Sequence, residues 1–98
     1  MDVYHELHGT TFVWDARKAR VNEAKHDGVT FEQAITAFFD PLLRVVDASR
    51  ENEERQAVIG FDACARMIFV VHMEVDDEVI RIISARRATS EEREHYDS

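Results

Sequence analysis

A chain of 98 residues and 11.4 kDa has room for one hydrophobic core. Hydrophobic residues make up 45% and charged residues 33%, with three Gly and one Pro, a composition that excludes a disordered or collagen-like chain. The 12 Lys and Arg against 20 Asp and Glu leave a formal charge of −8, so any nucleic-acid role needs a local basic patch.

Residues 1–98 read as a single domain, with 1–10 a loose lead-in because Met1 to Thr10 show no sustained periodicity. Thr11 to Trp14 is a short β-prone run. Asp15 suits a helix N-cap, Ala16 to His26 is rich in good helix formers, and Asp27-Gly28 closes the turn. Thr30 and Gln33 have the capping-box spacing, and Phe31, Ala34, Ile35 and Phe38 follow the i, i+3, i+4, i+7 rule until Pro41 ends the helix. Leu42 to Val46, Gln56 to Phe61, Met67 to Met73 and Val79 to Ala85 then read as sequential strands of an antiparallel meander. Both alternating faces of the last two strands are largely apolar, as expected of central strands covered by helices on one side and by a partner chain on the other. Thr89 and Glu92 repeat the capping-box spacing and start a terminal helix through Tyr96. The order is β-α-α-β-β-β-β-α, an α+β domain with an antiparallel sheet and helices packed on one face.

No apolar run approaches the ~20 residues of a membrane span, and Met1 to Thr11 lacks the basic start and apolar stretch of a signal peptide, so the expected location is cytoplasmic. Cys64 is the only cysteine, which excludes an intrachain disulfide and a multi-Cys zinc site. His5 and His8 lack a metal-binding partner motif, no nucleotide-loop or nucleophile-elbow pattern is present, and neither metal nor cofactor is expected. His72 alternates with apolar residues and reads as a core histidine.

Two segments are locally basic. Arg17, Lys18, Arg20 and Lys25 face only Asp15 and Glu23, and Arg81, Arg86 and Arg87 face no acid between Val79 and Ser90. Helical spacing puts Lys18, Asn22 and Lys25 on one face with His26 a turn beyond Asn22, a set suited to phosphate: point charges, an amide donor and a ring able to move a proton. The plain alternative is a solvated helix face. Arg81 and Arg86 offer forked guanidinium donors for phosphate oxygens; the plain alternative is that Arg81 pairs across the sheet with an acid such as Glu53 or Glu54 and that Arg86 and Arg87 only solvate the turn. Arg93 and Tyr96 share a face of the last helix, where Tyr96 either exchanges a proton or docks the helix.

Phe12-Val13-Trp14-Asp15, Lys18, Asn22, Lys25-His26, Val29-Thr30-Phe31-Glu32 and Ala34 together resemble the opening of the BrnT family of bacterial toxins. Val79 to Thr89, read Val-Ile-Arg-Ile-Ile-Ser-Ala-Arg-Arg-Ala-Thr, followed by Glu92-Arg93 and Tyr96, is similar to that family's closing motif almost residue for residue. Arg55 to Gly60 also resembles its middle strand, so the likeness runs from Phe12 to Tyr96, with Asp27 inserted where the family more often has Lys-His-Gly-Val. The resemblance implies a RelE-like, microbial-ribonuclease type of fold and a metal-independent ribonuclease that arrests translation. It also implies neutralisation by a cognate BrnA-like antitoxin with a ribbon-helix-helix domain, DNA being contacted only through that partner. In this reading the RNA's own 2′-hydroxyl attacks the neighbouring phosphate. Arg81 and Arg86 hold phosphate, Lys18, Asn22, Lys25, Arg87 and Arg93 bind the RNA backbone, and His26 or Tyr96 moves a proton. The competing reading is a catalytically inactive interaction module that binds a DNA-binding partner and acts in transcriptional autoregulation. A direct DNA-binding repressor fits least, because no helix combines basic residues with a helix-turn-helix pattern.

Overall fold

The computed structural model describes residues 1–76 and 78–98. Strands β1 (Asp2–Leu7), β2 (Thr10–Asp15), β3 (Arg44–Asp47), β4 (Gln56–Phe61), β5 (Met67–Asp76) and β6 (Val79–Arg87) form one sheet of order β1-β2-β6-β5-β4-β3. Helix α1 (Ala16–Lys25) follows β2, α2 (Phe31–Ala34) runs on into a 3₁₀ turn over Ile35–Phe39, and α3 (Ser90–Asp97) closes the chain. The α+β class and the β3 to β6 meander match the sequence expectation. No helix among the described residues is long and apolar enough to cross a membrane.

Two features differ from that expectation. Residues 1–10 are not a loose lead-in: Asp2 to Leu7 is a strand that pairs along β2, from Asp2 opposite Asp15 to Leu7 opposite Thr10. The hairpin turns on His8 (φ 50°) and Gly9 (φ 83°), the two positive φ values a tight hairpin needs, and Val3 and Leu7 pack on the core. His5 stacks on the Trp14 ring at 6.0 Å between centroids. Nor is the sheet wholly antiparallel, because β2 and β6 run parallel through Thr11–Val13 and Val79–Arg81. The helices return the chain so that β3 opposes β2, and three hairpin reversals bring β6 back to β2's direction.

Local chemistry sets the helix ends. Asp15 accepts from Lys18 N at 3.0 Å, Thr30 from Gln33 N at 3.1 Å, and Thr89 with Glu92 completes a reciprocal capping box. Helix α1 stops in a Schellman turn, Gly28 N donating to Glu23 O at 2.9 Å with Asp27 in the left-handed region at φ 53°.

The core lies between one sheet face and α2 with its 3₁₀ extension. Phe12, Trp14, Val58, Ile68, Val70 and Ile82 of the sheet meet Phe31, Ala34, Ile35 and Ala37. His72 is buried against Phe38, ring centroids 4.9 Å apart, and burial holds its pKa below the ordinary imidazole value. The opposite face is only half covered, and Phe69, Val71 and Met73 alternate there with the buried Ile68, Val70 and His72. On β6 a bulge interrupts the register. Val71 faces Ser84 while His72 faces Ile82, so Ile83 has no partner and both Ile83 and Ser84 sit between the buried Ile82 and Ala85 on the outer face.

Candidate functional site

Strand β2 stops pairing with β6 at Val13 opposite Arg81 and then turns into α1, leaving the β6 edge beyond Arg81 without a strand neighbour. Asn22 fills that edge. Its Oδ1 accepts from Ala85 N at 3.0 Å, and its Nδ2 donates to Ala85 O at 2.8 Å and to Val29 O at 3.2 Å. The residue is 6% exposed and its amide is fully occupied. Asn22, expected from the sequence to bind phosphate, thus bonds backbone in place of a strand and fixes α1 against β6.

With α1 held there, Lys18, Asn22, Lys25 and His26, joined by Arg17 and Val21, line a cavity of about 310 Å³ against Ile83 and Ser84. A second cavity of about 480 Å³ shares Ile83 and Ser84 and continues across the outer sheet face to Phe69, Val71, Arg50, Arg55 and Arg86, with Asp47 and Ser49 on its rim. Arg86 of the second basic segment thus lies on the same face of the β6 bulge as the cations of the first, whereas Arg81 and Arg87 do not. Arg50, Arg55 and Ser84 were missed in the sequence, the arginines because Asp47, Glu51, Glu53 and Glu54 cancel them in any local charge count. Their only signal is that they bracket a hairpin, where residues far apart in a window converge.

Arg86 and Arg81, the two arginines expected to hold phosphate, are each paired with a carboxylate. Arg86 forks onto Glu92 with both N–O distances 2.8 Å, also donates to Arg87 O, and lies 4.5 Å over the Phe69 ring. The Glu92 bond raises the Arg86 pKa. Burial acts to raise that of Glu92, but the bonds from Arg86 and Thr89 outweigh it and hold the carboxyl low. Arg81 pairs not with Glu53 or Glu54 but with Asp2 of β1, at 2.8 and 3.3 Å. It lines neither cavity of the bulge.

Tyr96 also stands apart from both cavities. Its hydroxyl donates to Asp40 Oδ2 at 2.8 Å, its ring meets Phe61 edge-on at 5.4 Å, and desolvation with the Asp40 bond raises its pKa. That arrangement docks α3 on β4. Arg87 and Arg93 are exposed outside both cavities. Among the described residues no group of three or more His, Cys, Asp or Glu is disposed to hold a metal ion.

Residues 14–92 match the family model described as the ribonuclease toxin, BrnT, of type II toxin-antitoxin systems. The chain belongs to the BrnT family. Its fold is similar to the 1.1 Å crystal structure of the Brucella abortus ribonuclease toxin BrnT, with TM-score 0.60 and 26% identity over 79% of this chain and 94% of that one. No curated protein matches the sequence. Membership makes this chain a toxin of the ribonuclease kind, and the type II class implies a protein antitoxin as partner. The matched span contains both cavities of this BrnT-family chain and leaves β1, with Asp2, and Tyr96 outside it.

Proposed function

We propose that this BrnT-family chain is an endoribonuclease that cleaves single-stranded RNA without a metal ion and so inhibits translation. The observation that carries this reading is that two cationic cavities share Ile83 and Ser84, so that a chain of net charge −8 gathers cations on one surface where a phosphodiester backbone would find partners. Backbone phosphate enters beside Arg86, whose bidentate bonds pass from the Glu92 carboxylate to the phosphoryl oxygens. Lys18 and Lys25 add positive potential where the chain crosses α1. His26 lies in the same cavity and takes the proton of the 2′-hydroxyl. The 2′-oxygen then bonds to phosphorus and the bond to the 5′-oxygen breaks. The leaving oxygen collects a proton from water, and the product end is a 2′,3′-cyclic phosphate. Arg86 stabilises the charge that develops on the phosphoryl oxygens. Tyr96, bonded to Asp40, positions α3 and through it Glu92. Arg81, Arg87 and Arg93 contribute long-range attraction only.

The antitoxin in this reading is a BrnA-like ribbon-helix-helix protein, and DNA is met only through it. A second reading keeps the antitoxin and drops the catalysis, leaving a binding module in transcriptional autoregulation. It is favoured by the ready pairing of Arg86 with Glu92, which neutralises the phosphate ligand of the site at rest. Incubation of antitoxin-free protein with labelled single-stranded RNA in EDTA separates the two. Cyclic-phosphate ends made by wild type and reduced about 100-fold or more in Arg86→Ala are expected. Intact RNA with folded protein, with and without ribosomes, establishes the binding module instead.

A further inference from the structure

The 480 Å³ cavity offers more than a phosphate uses. Its floor, Phe69 and Val71 of β5 with Ile83 of the β6 bulge, is apolar and only half-buried. Its walls carry Arg50, Arg55 and Arg86. An anion gains nothing from an apolar floor, because it must shed water there without a partner. A nucleobase has the matching surfaces, an apolar π-face and a polar edge, and it is attached to a phosphate that needs a cation within a nucleotide's reach. Charge complementarity agrees, since Arg55 is paired with Glu53 whereas Arg50 has no ion-pair partner among the described residues. The Arg86 guanidinium carbon already lies 4.5 Å from the Phe69 ring centroid, so a cation and an aromatic ring stand together where a base and its phosphate would be received.

We propose that this cavity is a nucleobase subsite: one unstacked base of single-stranded RNA lies on Phe69, Val71 and Ile83 while Arg86 holds the adjoining phosphate. The inference rests on the RNA-cleaving reading and adds to it where the base beside the scissile phosphate goes.

The test measures binding alone, with a fluorescent 2′-O-methyl oligonucleotide that cannot be cleaved because its 2′-oxygen is blocked. A single abasic site is moved along it. Wild type is expected to show one position at which losing the base weakens binding roughly 5- to 100-fold. Phe69→Leu keeps the apolar volume and is expected to abolish that difference, while Phe69→Tyr retains it. Arg50→Ala, at an exposed position where folding is not at risk, is expected to weaken the base-bearing oligonucleotide more than the abasic one. The subsite is refuted if no position is base-sensitive, if no oligonucleotide binds, or if Phe69→Leu leaves the sensitivity intact. It is equally refuted if that variant weakens both oligonucleotides alike, which would make Phe69 a support for Arg86 only. Failure to cleave natural RNA with base-sensitive binding intact overturns the cleavage reading and leaves the subsite standing.

Discussion

Replacing Asn22 by Ala removes three buried hydrogen bonds at once, two to Ala85 and one to Val29. Each contributes about 1 kcal/mol net, and the Ala85 N–H left buried and unpaired adds part of a further ~1–3 kcal/mol. Alanine returns about 0.6 kcal/mol through its better helix propensity. The expected loss is therefore about 2–4 kcal/mol, against a total stability of about 5–15 kcal/mol for a domain of this size. Urea unfolding followed by circular dichroism should show a midpoint about 2 M lower at unchanged slope, given an m-value of ~1–2 kcal/mol/M. Asn22→Asp keeps an acceptor for Ala85 N–H but sets a carboxylate against the carbonyls of Ala85 and Val29, so it should be at least as unstable at pH 7. A loss below about 0.5 kcal/mol in the alanine variant would refute the edge-filling role. Unchanged stability with lost RNA binding would assign Asn22 to phosphate binding instead.

Other consequences follow from named contacts. His72 has a folded pKa held down by burial, so the unfolded chain binds its proton first as pH falls; stability should be full above about pH 6.5 and decline below it, and His72→Leu should flatten that segment of a urea-midpoint series. Asp27 occupies the left-handed helix-end position at φ 53°, so Asp27→Gly should stabilise the fold by about 0.5–1 kcal/mol in the same assay; a destabilised variant would show that the aspartate makes a compensating contact. Glu92→Gln frees Arg86 while a glutamine still serves the capping box, so RNA affinity at fixed salt should rise several-fold, with no change in α3 by circular dichroism. Equal affinity would mean that the carboxylate does not compete with phosphate. Lys25→Ala should lower RNA affinity and reduce the slope of log affinity against log salt by about one unit, and an unchanged slope would place the RNA elsewhere.

Much of the fold was legible because its causes are local. Asp15, Thr30 and Thr89 announce their helices through bonds closed within three residues, and the strands of the meander carry their own β-branched runs. β1 escaped notice because His8-Gly9 is a weak turn signal and because its inward residues, Val3, His5 and Leu7, include a histidine that stacks on Trp14. The parallel pairing of β2 with β6 depends on how the helices return the chain, which no local window records.

For the candidate site the division is sharper. Helical spacing correctly placed Lys18, Asn22 and Lys25 together, yet spacing alone does not say which member faces solvent; Asn22 points into the β6 edge because β2 ends there. The partners of Arg81 and Arg86 could not be read from charge runs, since Asp2 is 79 residues away and Glu92 belongs to another element. By itself the sequence determined the element types beyond β1, the family and the inventory of cations, all properties of short windows and motif order. Which cations share a surface, which are neutralised at rest, and that Arg50, Arg55 and Arg86 surround an apolar floor were decided by the tertiary structure, because strand register and a single bulge at Ile83 choose the face on which each side chain emerges.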